Sequence, residues 1–118
     1  MSQFDRRSRE RIAERVADTM FALSTPSRVL ILTCLLGRPH AVSELIEALE
    51  MEQSTVSHQL RVLREHDLVK VERSGRLRVY SLYDEHVAAL LERAQRHVEQ
   101  HRNTGLRARR TAEGKGRK

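Results

Sequence analysis

Gln53-Ser54-Thr55-Val56-Ser57-His58-Gln59-Leu60-Arg61-Val62-Leu63-Arg64 is the stretch whose reading decides the fold. Val56, Leu60 and Leu63 recur at i, i+4 and i+7, the spacing of a single buried helix face, while His58, Arg61 and Glu65 fall opposite and Thr55, Ser57 and Arg64 flank them. The outward side is polar and short near its start and basic further on. Gln53, Ser54, Thr55, Ser57, His58 and Gln59 suit an approach to base edges, and Arg61 and Arg64 suit a guanine edge or a phosphate.

Upstream, Ser43 is the expected N-cap of a short helix carrying Leu45, Ile46 and Leu49, and the polar residues 50–53 break it before Ser54 caps the next. Two helices joined by a short turn result. Downstream of His66 and Asp67 the period changes to two, with Leu68, Lys70 and Glu72 alternating with Val69, Val71 and Arg73. Ser74-Gly75 reads as a turn, and residues 77–82 return as a second strand, with Arg73, Arg76 and Arg78 around the tip. Helix, turn, helix and hairpin is the order of a winged helix-turn-helix, whose second helix lies in the major groove. The class is therefore mainly α with a β-hairpin wing.

Further out, Ile12, Val16, Met20 and Leu23 mark an amphipathic helix over residues 9–23, and Pro26 opens an apolar helix that Gly37 and Pro39 end. From Asp84 a long helix carries Val87, Leu90, Leu91, Ala94 and Val98 on one stripe. Residues 1–8 form an N-terminal arm, residues 9–102 the DNA-binding and dimerisation domain, and residues 103–118 a disordered basic tail.

With 118 residues there is room for one domain, and 39% hydrophobic content with two Phe, two Tyr and no Trp implies an aliphatic core. Such a thin core gains stability by dimerising, and it offers little for stacking on single-stranded bases. The net charge of +6 resides in residues 102–118, because residues 1–101 carry as many acidic as basic side chains. The informative charge is local: residues 53–78 hold six basic against three acidic residues, whereas Glu44, Glu47, Glu50 and Glu52 precede them. That acidic face is expected to point away from a duplex. The longest apolar run, residues 29–36, is far shorter than the roughly 20 residues that span a bilayer, and the charged N-terminus is no secretory signal. No membrane association and a cytoplasmic, nucleoid-associated location follow. Cys34 cannot form an internal disulfide and reads as a small buried hydrophobe; His40 and His66 read as loop residues.

The segments Ser43-Glu44-Leu45, residues 53–64, Leu68-Val69, Gly75-Arg76 and Tyr80-Ser81-Leu82 together resemble the ArsR/SmtB family of bacterial metalloregulators, over about residues 22–97. The context is similar to the nickel/cobalt-sensing branch. The resemblance implies a homodimer joined through its first and last helices, bound to an inverted-repeat DNA operator, with an affinity set by an effector. It also implies half-sites one helical turn, about 34 to 36 Å, apart.

The family's thiol site, in the helix before the reading head, has no counterpart, since residues 43–49 contain no Cys; arsenite-like ions are disfavoured. Its last-helix pattern, Asp-x-His followed by His-x-x-(His or Glu), matches Asp84, His86 and His97. Gln100 occupies the fourth position, and His101 stands one place later at i+4 from His97. His86 and His97 share a helix face but lie about 16 Å apart along the axis, too far to hold one ion together. Antiparallel pairing of two last helices near Leu91 would bring His86 of one protomer to His97 of the other. Nitrogen and oxygen donors of this kind suit Ni(II), Co(II) or Zn(II) as effector. Asp84 suits the N-cap in either case.

The expected function is a metal-responsive, DNA-binding transcription regulator. Its rivals are the same fold without a working metal site, constitutive or controlled by an accessory protein, and an interaction module acting through the basic tail. A metal-dependent hydrolase is disfavoured, because no His-Glu-x-x-His or nucleophile motif is present; no catalytic residue is assigned.

Overall fold

The computed structural model describes residues 5–101. In chain order these form α1 (Arg6–Ala22), α2 (Pro26–Gly37), β1 (His40–Ala41), α3 (Val42–Leu49), α4 (Gln53–Glu65), β2 (Val69–Ser74), β3 (Leu77–Leu82) and α5 (Glu85–Gln100). They divide into two compact units between Asp84 and Glu85. The tail expected over residues 103–118 lies outside the described residues. No single described helix is long and apolar enough to cross a membrane.

In the first unit the core is almost wholly aliphatic. Ile31 and Leu32 of α2, Leu45 of α3 and Val56, Leu60 and Leu63 of α4 are buried to within 1% of completely, joined by Val69 and Tyr80 of the sheet. The inward triplet expected of α4 is thus the centre of the core, and α3 and α4 form the expected helix-turn-helix. Glu50 and Asp67, one on each side of α4, have left-handed backbones (φ 53° and 56°). Asp tolerates that conformation through local hydrogen bonding. Glu does not, and costs about 1 kcal/mol there. Neither turn carries the glycine that usually marks a helix stop.

The helix starts differ from those read off the sequence. α1 begins at Arg6, so residues 6–8 are helical rather than part of an arm, because the Asp5 carboxylate accepts the Ser8 N–H at 2.8 Å. That bond holds the Asp5 carboxyl below its ordinary pKa. Ala41 and Glu52, in place of Ser43 and Ser54, occupy the N-cap positions of α3 and α4. At α3 the capping work is done from inside the helix: Glu44 Oε1 accepts the Ala41 N–H at 2.8 Å, which lowers the Glu44 pKa.

The sheet has a strand that no periodicity announces. β1 pairs antiparallel with β3, His40 opposite Tyr80 and Ala41 opposite Val79, giving the order β1-β3-β2. His40 is therefore a buried strand residue and not a loop residue. Its Nδ1 donates to the Arg38 carbonyl at 2.8 Å, and its Nε2 lies 3.5 Å from Cys34 Sγ, a thiol that is half-buried rather than fully enclosed. In the wing, Ser74 pairs with Leu77, so the turn is Gly75-Arg76, one residue later than read from the sequence. Gly75 has φ +62°, as the first position of a type II′ turn requires.

Leu60→Ala should destabilise the protein by about 2 to 5 kcal/mol, read from chemical or thermal unfolding. Glu44 makes a second, pH-dependent contribution. Its folded pKa is depressed, so its contribution is complete above the ordinary carboxylate range and fades as pH falls through the folded value. Unfolding curves between pH 7 and pH 3 should show a smaller acid loss in Glu44→Gln than in the parent protein.

Candidate nucleic-acid interface and metal ligands

One face of α4 is buried in the core, and the other is left to solvent. Gln53, Ser54, Thr55, Ser57, His58, Arg61 and Arg64 are all exposed. Glu52 makes no side-chain capping bond at the start of α4. Arg73, Arg76 and Arg78 of the wing are exposed too.

Helix and wing share a surface. A groove of about 330 Å³ is lined by Ser57, Arg61 and Arg64 of α4 together with Arg78 and the edge of Tyr80 from β3. A second, of about 360 Å³, brings Gln53 alongside Arg76 and Arg78. Tyr80 is buried on the sheet face that also carries Val69 and Val71, and towards the tip the same face carries Arg73 and Arg78. These two arginines are direct cross-strand partners. Like charges placed opposite each other destabilise a hairpin, and a polyanion laid against them would reverse the sign.

Gln59 needs correction. Its side chain is half-buried, and its Oε1 accepts a hydrogen bond from Arg28 Nη1 at 2.8 Å, so it points into the protein and not towards a base edge. The signal was available: Gln59 stands at i+3 from Val56 and immediately before Leu60, on the rim of the buried stripe. Arg28, which no motif or periodicity marks, is buried and bridges α2 to α4 and to the end of α1.

The metal candidates on α5 are His86, His97 and, just past its end, His101, all exposed; Asp84 stands immediately before the helix. The rings of His97 and His101 have centroids 4.6 Å apart. His101 Nδ1 donates to the His97 carbonyl at 2.9 Å, which fixes the tautomer and leaves Nε2 as the nitrogen able to bind an ion. Gln100 is exposed beside them. Among the described residues no three His, Cys, Asp or Glu side chains gather closely enough to hold a metal ion within one chain. The donors fit a nitrogen- and oxygen-ligated ion in kind, although the described residues of one chain bring no three of them together.

Residues 25–71, from the cap of α2 into β2, match the model of the bacterial regulatory protein arsR family. The chain is 55% identical over 102 residues to the HTH-type transcriptional regulator NmtR of Mycobacterium tuberculosis, covering 86% of this chain and 84% of NmtR. The chain belongs to the arsR family. A transcriptional repressor SmtB homolog of Synechocystis is 39% identical over 88 residues, 75% of this chain and 67% of that protein. In three dimensions the arsR-family chain is similar to the solution structure of apo-NmtR (TM-score 0.71, 52% identity, 90% of this chain and 85% of that one). It is also similar to the homodimeric winged helix-turn-helix domain Mb0332 of Mycobacterium bovis (TM-score 0.79, 27% identity, 90% and 97%). As an arsR-family member this protein is a DNA-binding transcriptional regulator and not an enzyme.

The facing arginines of the wing give a test that needs no DNA. Arg73→Glu replaces a like-charge cross-strand pair with an opposite one, and should raise the stability of the free protein by about 0.2 to 1 kcal/mol in thermal unfolding at low salt.

Proposed function

We propose that this arsR-family regulator is an operator-binding repressor that acts as a homodimer and is released from DNA by a divalent transition-metal ion. The observation that carries the DNA reading is the shared surface of α4 and the wing, where Arg61, Arg64 and Arg78 line one groove. Gln53, Ser54, Thr55, Ser57 and His58 face base edges in the major groove, while Arg61, Arg64, Arg73, Arg76 and Arg78 neutralise phosphates or enter the adjoining minor groove.

Dimerisation through the first and last helices is supported by α1. Ile12, Val16 and Met20, at i, i+4 and i+8, are each about half exposed, and Ala22 is the only buried residue of that helix. An apolar stripe left open along a helix is what a second subunit would cover. The homodimeric state of Mb0332 points the same way.

The effector site we assign is shared between subunits: Asp84 and His86 of one protomer with His97 and His101 of the other. Ni(II), Co(II) and Zn(II) are the candidate ions, on the nitrogen and oxygen donor set and on the resemblance of Asp84, His86 and His97 to the family's last-helix pattern. The metal changes DNA affinity only by as much as it prefers the conformation that binds DNA poorly, and DNA weakens metal binding by the same factor.

An inverted-repeat promoter fragment titrated with the protein, with and without each ion, tests both halves. Affinity should fall when the effective ion is present. His86→Ala with His97→Ala should abolish that response while leaving ion-free operator binding intact. Ion affinity unchanged by those substitutions would remove the sensor assignment and leave a regulator that is constitutive or governed by an accessory protein. Arg61→Ala, Arg64→Ala and Arg78→Ala should each weaken binding and reduce the slope of log affinity against log salt by about 1.

A further inference from the structure

Arg28 and His40 are the buried polar side chains among the described residues, and Arg28 carries a full charge. From α2 its Nε donates to the Ala22 carbonyl at 2.6 Å, its Nη2 to the Phe21 carbonyl at 3.3 Å and its Nη1 to Gln59 Oε1 at 2.8 Å. All three acceptors are uncharged. A buried guanidinium without a carboxylate needs other compensation, and the last-turn carbonyls of α1 supply it as the negative end of that helix's dipole. One side chain thus joins three helices.

The joint matters because α1 has little else holding it. Ala22 is its only buried residue, and the break between α1 and α2 is bent by 89°. Phe21, whose carbonyl takes one of the bonds, is 68% exposed on the helix that also exposes Ile12, Val16 and Met20. On the other side of the joint, Gln59 lies between His58 and Arg61 of the outward face of α4.

We infer that Arg28 and Gln59 are positioning residues for operator recognition: by bonding α4 to the end of α1, they fix the angle at which each subunit presents its reading helix. The inference rests on the operator-binding homodimer proposed above, in which α1 contributes to the subunit interface. Two reading helices must meet half-sites about 34 to 36 Å apart. The fork geometry of the guanidinium, which Lys lacks, allows one residue to cap α1 and hold Gln59 together.

The experiment compares the parent protein with Gln59→Met, Gln59→Glu, Arg28→Lys and the Arg28→Lys/Gln59→Met double variant. Operator affinity is measured by fluorescence anisotropy over a salt series, on fragments with correct and altered half-site spacing, and on single base-pair variants of the operator. Gln59→Met keeps the length of the side chain and loses the acceptor. It should weaken binding to the correctly spaced operator about fivefold or more, with an unchanged salt slope and an unchanged pattern of base preferences. Its preference for correct over altered spacing should shrink by the same factor. Gln59→Glu keeps the acceptor and should retain that spacing preference. The double variant should bind no worse than Arg28→Lys alone, since both substitutions break one link.

Relaxed preference at one base pair in Gln59→Met would make Gln59 a base reader and overturn the inference, as would full affinity in that variant or additive losses in the double variant. If Arg28→Lys does not fold, the two Gln59 variants decide, because both leave the bonds from Arg28 to α1 in place. Failure of the underlying reading shows separately, as a parent protein with no operator preference at all, and it would remove this inference with it.

Discussion

The burial of Val56, Leu60 and Leu63 governs the molecule. A helix held by one stripe, against an aliphatic core built by α2, α3 and the sheet, has its opposite face fixed in space without being covered. The core does not need aromatic rings to do this. Three branched side chains at helical spacing immobilise α4, and the residues between them inherit a defined outward direction. Without that anchorage the same polar and basic residues would be a flexible basic segment, able to attract a polyanion but not to distinguish one sequence from another.

Much of this was legible in the residues. The change of period from 3.6 to 2 after His66 located both the reading helix and the wing, and the inward triplet followed from spacing alone. What escaped the reading was set by contacts distant in sequence. β1 is too short to show a period, and His40 is a strand residue only because Tyr80 lies opposite it. Gln59 resembles its polar neighbours in kind, although its place beside Leu60 puts it on the rim of the core, where Arg28, thirty-one residues earlier, reaches it. The helix starts slipped for a local reason. At α1 and α3 the Asp5 and Glu44 carboxylates accept backbone N–H groups at the helix start, the capping role for which a serine is the usual signal. The left-handed Glu50 had no signature, since the turn it makes usually calls for glycine or asparagine.

The candidate effector residues show a different kind of limit. Spacing along α5 separates His86 from His97 by three helical turns, and among the described residues no three His, Cys, Asp or Glu side chains gather within one chain. The rings of His97 and His101 are brought together locally, with one ring nitrogen of His101 committed to a backbone carbonyl. The proposed site, divided between subunits, would tie ion binding to the relation between those subunits, on which the spacing of two reading helices would also depend. Sensing and reading would then act on the same quantity, without a separate pathway through the core.

The wing closes on two residues, Gly75 and Arg76, and its paired arginines stand directly across from each other. A hairpin this short has almost no freedom to lengthen, tilt or spread. In the proposed complex its two arginines would approach the duplex from backbone positions directly across from each other. A groove too wide or too stiff would then lose electrostatic attraction at positions no side chain contacts. On the proposed reading the wing would gauge DNA shape, and part of the selectivity would reside in the mechanical properties of the target.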